Sequence, residues 1–215
     1  MNFDAFFFDL DGTLYDNRCG LLNAVNERIA QWIPHVVDIQ DDQLYEFRDG
    51  IFHKYGGTLP GLTVEYGSNY CESLRFCHDV PVENFISPNP LLKELLARLP
   101  GRKYIFTTAY RFYAVRVLKA LEILDYFDGI IDAVDVFPNV KPSPNAYQRA
   151  LQITAEPDVQ RCVFLDDQPR NVIAAHKEGF FAVQVGTEYS RDPLADAYIE
   201  KIEDLLTIPE FCPED

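Results

Sequence analysis

The apolar residues of this chain fall into two textures. Ala5-Phe6-Phe7-Phe8 is an uninterrupted apolar run, which predicts a strand buried on both faces, as in a parallel sheet. Downstream the spacing becomes helical. Leu21, Leu22, Val25, Ile29, Trp32 and Ile33 mark one helix that Pro34 closes. Leu44, Phe47, Ile51 and Phe52 mark a second over 41–55, stopped at Gly56-Gly57, and a third runs from about Leu62 to His78. Pro81, Pro88 and Pro90 form a boundary, so residues 16–87 read as helical with no strand. Beyond it the textures alternate. A helix carrying Leu91, Leu92, Leu95, Leu96 and Leu99 leads to a strand at 104–106. Another helix follows, with Phe112, Val115, Leu118 and Leu121 on one face. Strands at 129–131, 162–165 and 181–185 are separated by helices around 145–151 and 172–177, and a surface helix is expected over 194–206.

Strand and helix in alternation predict an α/β fold with a doubly wound parallel sheet. The first strand belongs with the later ones. The chain therefore divides into a core of residues 1–15 and 88–215 and an inserted helical block of residues 16–87. With 47% hydrophobic and 13% aromatic residues there is ample material for the core. The net charge of −15 argues against nucleic acid as a partner, and no basic stripe offsets it. The same field repels phosphorylated metabolites at long range, so any phosphate site must be locally positive. Cys19, Cys71, Cys77, Cys162 and Cys212 lack metal-ligand spacing and point to free thiols in a reducing compartment. His35, His53, His78 and His176 likewise show no ligand spacing. With no basic leader and no apolar run near the ~20 residues of a membrane span, a cytoplasmic, membrane-free protein is expected.

Candidate chemistry sits just past the first strand, in Asp9-Leu10-Asp11-Gly12-Thr13. Open parallel sheets bind ligands beyond the carboxyl ends of their strands. Two acids two residues apart point the same way if extended backbone continues through them, and they then need a cation or a shared proton. Magnesium suits them, because it takes oxygen ligands and is often held by one or two carboxylates and a substrate phosphate. Gly12 provides for a sharp turn at positive φ. The alternative is a turn in which acids happen to cluster. Later, Asp166-Asp167 follows the buried-looking run Val163-Phe164-Leu165, where paired carboxylates again need a counter-charge; Asp167 could instead cap the helix after it. Pro144, in Lys141-Pro142-Ser143-Pro144, suits the first turn of a helix.

Asp9 to Thr13 resembles the first motif of the haloacid dehalogenase superfamily, and three further motifs follow in its order: Thr107 after a short strand, Lys141 before a proline, and Asp166-Asp167. The resemblance covers essentially the whole chain. It implies a Rossmann-like core with a helical cap over residues 16–87, hinged at 15–20 and 85–89, and aspartyl-phosphate chemistry with Mg2+. By that resemblance Asp9 is the nucleophile and Asp11 the general acid and base. Thr107, Thr108 and Lys141 bind phosphate, while Asp9, Asp11 (through its backbone carbonyl), Asp166 and Asp167 serve the metal. Thr108 stands where many relatives carry Asn, and Thr107 alone would also suit a helix cap.

Within the superfamily, residues 53–62 and 106–111 are similar to the pyrimidine 5′-nucleotidase branch. That implies a small phosphorylated metabolite as partner, specifically uridine or cytidine monophosphate. Tyr45, Phe47, Phe52, Tyr55 and Tyr66 then either stack a base or pack the cap, and Arg48 either binds substrate or lies exposed. Competing readings are a phosphoglycolate or sugar-phosphate phosphatase, a phosphomutase, and a non-catalytic binding protein on the same fold.

Overall fold

The computed structural model describes residues 3–156 and 158–211; Cys212 lies outside them. Among the described residues the strands are β1 (Ala5–Phe8), β2 (Arg102–Phe106), β3 (Gly129–Ile131), β4 (Cys162–Asp166), β5 (Phe181–Val185) and β6 (Ala197–Ile199). They form one sheet in the order β3-β2-β1-β4-β5-β6, with every pairing parallel. This is the expected α/β, Rossmann-like architecture. The chain winds from β1 outward to β2 and β3, then returns to place β4 on the other side of β1. That reversal puts the topological switch point between β1 and β4, where such sheets bind ligands.

The apolar run of β1 is explained by this central position. Phe6 and Phe8 point into one layer with Ile105, Val163, Leu165 and Val183, while Ala5 and Phe7 point into the other with Tyr104, Phe106, Phe164 and Ala182. All four β1 side chains are buried, and each phenylalanine contributes about 1.5–3 kcal/mol. One substitution to a charged residue here would leave that charge between two apolar layers.

The segment between β1 and β2 contains α1 (Leu21–Trp32), α2 (Leu44–Tyr55), α3 (Thr58–Tyr66) and α4 (Tyr70–Cys77). Ile33, Leu59, Leu62, Leu74 and Cys77 form a cluster of their own, which Ala133 joins from the sheet side. Leu21 and Val25 of α1, with Val80, Val82 and Ile86, instead join the cluster under the sheet. The helix expected over 62–78 is two helices. Gly67, at φ +71°, ends α3, and the Asn69 side chain accepts the Glu72 N–H at 3.1 Å to start α4. The second expected helix opens as a 3-10 turn over Asp41–Gln43.

The remaining helices are α5 (Pro90–Arg98), α6 (Arg111–Ala120), the short α7 (Ala133–Val136), α8 (Pro144–Thr154) and α9 (Pro169–Lys177). The face expected for α6 is rotated. Phe112 is exposed, and Tyr113, Ala114, Val117 and Leu118 are buried, because this set gives the wider stripe facing the sheet. The helix expected over 194–206 is replaced by β6 and a 3-10 helix at Ile202–Thr207. Edge pairing wins there: the Gly186 N–H donates to the Ile199 carbonyl, and the Asp196 carboxylate accepts the Ala182 N–H. No helix among the described residues is long and apolar enough to cross a membrane.

Candidate active site at the switch point

Asp9 is the first residue past β1, and its N–H donates to the Leu165 carbonyl of β4 at 2.8 Å. This bond carries the sheet pairing one residue beyond the strand and fixes Asp9 beside Asp166, the last residue of β4. Into the gap comes Lys141, from the loop that precedes α8. Its Nζ donates to Asp9 Oδ1 and to Asp166 Oδ2, each at 2.7 Å. The ammonium lies 5.1 and 5.2 Å from the ring centres of Phe106 and Phe164 and is 1% exposed. Burial opposes a charged lysine, but Asp166 and Asp9 outweigh it and hold the ammonium pKa above its usual value. A surface role for this lysine is excluded.

Asp166 is saturated with donors. Besides Lys141 it receives the Gln168 N–H at 2.8 Å and both-oxygen contacts from Asn171 Nδ2 at 3.0 Å. Asn171 is held in turn through its carbonyl, which accepts the Tyr147 hydroxyl at 2.8 Å. Asp167 does not cap α9, whose preceding residue Gln168 has its N–H satisfied by Asp166. Its carboxylate is directed instead toward Gly12, where a Cβ would stand 2.6 Å from Oδ2. Gly12 also sits at φ +81°, so turn geometry and the close approach both require glycine there.

Asp9, Asp166 and Asp167 each offer a carboxylate oxygen within 4.8 Å of the others. Burial raises the pKa of Asp9, against Lys141 and with Asp166 adding to the rise. Burial followed by repulsion from Asp166 and Asp9 raises that of Asp167. One lysine does not neutralise three clustered acids. A compact, all-oxygen, over-charged donor set of this kind fits a hard divalent cation such as Mg2+.

Asp11 stands apart from that cluster. β1 ends at Phe8, the Leu14 N–H turns back to the Leu10 carbonyl at 3.0 Å, and the Asp11 charge still adds to the rise in the Asp9 pKa. The Asp11 Oδ1 accepts hydrogen bonds from the hydroxyls of Tyr15 and Tyr113, and burial raises its pKa while both tyrosines lower it. Thr107 follows β2, is buried, and accepts the Ala109 N–H at 3.0 Å on Oγ1. Its hydroxyl proton is therefore free to serve an acceptor in the site. It does not cap α6; Asp132 from beyond β3 accepts the Arg111 N–H at 2.8 Å. Thr108 is exposed, with no side-chain hydrogen bond among the described residues.

The helical block reaches this site through the turn between α2 and α3. Gly56 lies so close to the Lys141 loop that a Cβ would be 2.4 Å from the Lys141 carbonyl oxygen. Arg170 Nη2 donates to the Gly56 carbonyl at 3.1 Å, and its guanidinium covers the Phe52 ring at 3.9 Å. Phe47 pairs with Tyr66 within the block, Tyr45 is exposed, the Tyr55 hydroxyl donates to Glu65, and Arg48 donates to Asn26. A cleft of about 780 Å³ opens beside Gly12 and Asp167, with Tyr15, Asn17, Glu188 and Lys201 in its walls.

Sequence reasoning passed over Tyr15, Tyr113, Asn171 and Arg170. Tyr15 and Asn171 stand four and five residues past acids already singled out, so local spacing could have flagged them. Nothing in the sequence links Tyr113 to Asp11, 102 positions away.

A sequence profile described as haloacid dehalogenase-like hydrolase matches residues 3–179. Among curated proteins, the chain is 25% identical over 195 residues to Phosphate metabolism protein 8 of Saccharomyces cerevisiae, covering 81% of this chain and 59% of that one. It thus spans under two thirds of the yeast protein's length. It is 24% identical over 222 residues to Pyrophosphatase PpaX of Bacillus mycoides, covering 97% of each. Among solved structures it is similar to the HAD-hydrolase YfnB of Bacillus subtilis bound to magnesium, with TM-score 0.65, 14% identity and coverage of 97% and 99%.

Proposed function

Because this chain belongs to the haloacid dehalogenase-like hydrolases, we propose that it is a magnesium-dependent phosphomonoesterase acting through an aspartyl phosphate on pyrimidine nucleoside 5′-monophosphates. The observation that carries the chemistry is Lys141, buried between Asp9 and Asp166 with Asp167 alongside, at the switch point of the sheet. An intact set of this kind counts against a binding protein without catalysis.

Asp9 attacks phosphorus, forming an acyl phosphate as the bond to the leaving oxygen breaks. Asp11 supplies a proton to that oxygen and then takes one from the water that cleaves the acyl phosphate. Lys141 and the Thr107 hydroxyl hold the non-bridging oxygens, while exposed Thr108 is a poorer candidate for that role. Asp9, Asp167 and the Asp11 carbonyl would hold Mg2+, with Asp166, already occupied by Lys141, Gln168 and Asn171, acting behind them. When bound, the ion offsets the repulsion between the nucleophile and the phosphate. Residues 16–87 act as the cap; the YfnB structure, which reveals interdomain movement, supports a closing motion at the two hinges.

The pyrimidine assignment rests on the segment that carries that resemblance. Its Gly56 turn lies against the Lys141 loop, which supports a role for the neighbouring cap residues in meeting whatever is attached to the phosphate. PpaX, matched over nearly its whole length, favours a second reading in which inorganic pyrophosphate is the substrate.

The test is phosphate release with and without Mg2+ across uridine, cytidine, adenosine and guanosine monophosphates, pyrophosphate, phosphoglycolate and hexose phosphates. Turnover that needs Mg2+, prefers the two pyrimidine nucleotides and vanishes in Asp9→Asn is expected. Preference for pyrophosphate, phosphoglycolate or hexose phosphates keeps the mechanism and removes the nucleotidase. Full activity in Asp9→Asn removes the mechanism.

A further inference from the structure

Two phenols from distant parts of the chain converge on one oxygen of Asp11. Tyr113 of α6 donates to Oδ1 at 2.7 Å, Tyr15 donates to the same Oδ1, and the two hydroxyl oxygens stand 3.1 Å apart. Each phenol owns one proton. With both protons spent on Oδ1, the two hydroxyls can approach each other because Asp11 gathers them, and neither has a proton left for another acceptor. Oδ2 receives no hydrogen bond among the described residues.

Each tyrosine is anchored beyond its hydroxyl. Tyr113 is fully buried and packs its ring 5.0 Å from that of His78, at the end of α4. Tyr15 is tied to Asp11 by a backbone bridge within the turn after β1. Packing alone would be served by phenylalanine at either place, so the hydroxyls need another explanation.

We infer that Tyr15 and Tyr113 are positioning residues that grip Asp11 by Oδ1 and leave Oδ2 as the oxygen that carries the proton. The inference rests on the aspartyl-phosphate reading. In the first half-reaction the Asp9–phosphorus bond forms, the bond to the leaving oxygen breaks, and that oxygen takes the proton from Oδ2. In the second, water forms its bond to phosphorus, the Asp9–phosphorus bond breaks, and the proton lost by water returns to Oδ2. A carboxyl free to spin about its last torsion would offer the proton in the right place only part of the time.

Tyr15→Phe and Tyr113→Phe keep the rings and remove the hydroxyls, and measuring each separately guards against one of them misfolding. Rapid mixing with p-nitrophenyl phosphate separates the two half-reactions, because nitrophenolate departs near neutral pH without needing a proton. In both variants the first turnover should stay close to the wild-type rate. Steady-state turnover, which needs Asp11 to activate water, should fall about 10-fold or more, giving a burst of one nitrophenolate per enzyme. With an alkyl phosphomonoester, whose leaving oxygen needs the proton, the first turnover should fall as well. Steady-state rates equal to wild type for both substrates would overturn the inference, and so would parallel loss of first-turnover and steady-state rates together with a lowered Tm. Nitrophenolate release by the wild type that survives Asp9→Asn, or is absent altogether, would instead overturn the underlying reading.

Discussion

At the scale of single residues, the site is a problem in charge placement. Lys141 holds Asp9 and Asp166 in a largely buried volume, and each member would be costly without the others. His78 illustrates the opposite solution, a buried group that stays neutral. Burial pushes its pKa down to about 4, although the Leu74 carbonyl, 2.8 Å from Nδ1, pulls the other way. A folded-state pKa below the unfolded value means that the unfolded chain binds the extra proton. The contribution of His78 is therefore complete above the unfolded pKa of 6.5 and is lost as pH falls toward 4, by roughly 3 kcal/mol in all. His78→Phe keeps the contact with Tyr113, and the Leu74 carbonyl still accepts the backbone N–H of residue 78. Urea unfolding of both proteins between pH 7 and 4 should show wild type losing stability faster than the variant. Parallel curves would mean that the imidazole is solvated.

At the scale of elements, glycines decide where helices stop and how closely the block meets the sheet. Gly56 and Gly67 both occupy the left-handed region, at φ +78° and +71°, but a Cβ at Gly67 meets nothing within 4 Å. Gly67→Ala should therefore cost only the backbone term, about 1–2 kcal/mol. Gly56→Ala adds a collision with the Lys141 carbonyl oxygen and should cost at least ~1 kcal/mol more, with a fall in kcat/KM that Gly67→Ala does not share. Equal Tm and equal activity in the two variants would show that the Gly56 turn yields freely. The elements also show where local reading fails. Periodicity located α6 but chose a face that included Phe112, since which stripe is buried depends on the sheet it meets. β6 is three residues long and exists only because β5 offers an unpaired edge.

Across the whole molecule, a net charge of −15 surrounds a site proposed to receive anions. Screening lengths fall from about 30 Å at 0.01 M salt to about 8 Å at 0.15 M. Raising NaCl over that range at fixed Mg2+ should increase kcat/KM for a phosphomonoester, chiefly through KM, because long-range repulsion weakens while the buried Lys141 contacts do not. A steady decline with salt would show that local positive potential dominates the approach.

The sequence by itself determined the strand–helix alternation of the core, and its short motifs singled out Asp9, Lys141 and Asp167, which the structure brings together. These depend on runs, periods and short motifs that express local burial and turn geometry. It also contained Asp11, but not the company Asp11 keeps. Tyr113 reaches that carboxylate because α6 packs in the same apolar cluster as β1, Asp132 accepts the Arg111 N–H at the start of α6 from beyond β3, and Arg170 of α9 meets Gly56 in the turn between α2 and α3. Each joins residues far apart in the chain, and their approach is set by the winding order of the sheet. No window of sequence contains that order, so these contacts were left for tertiary structure to decide.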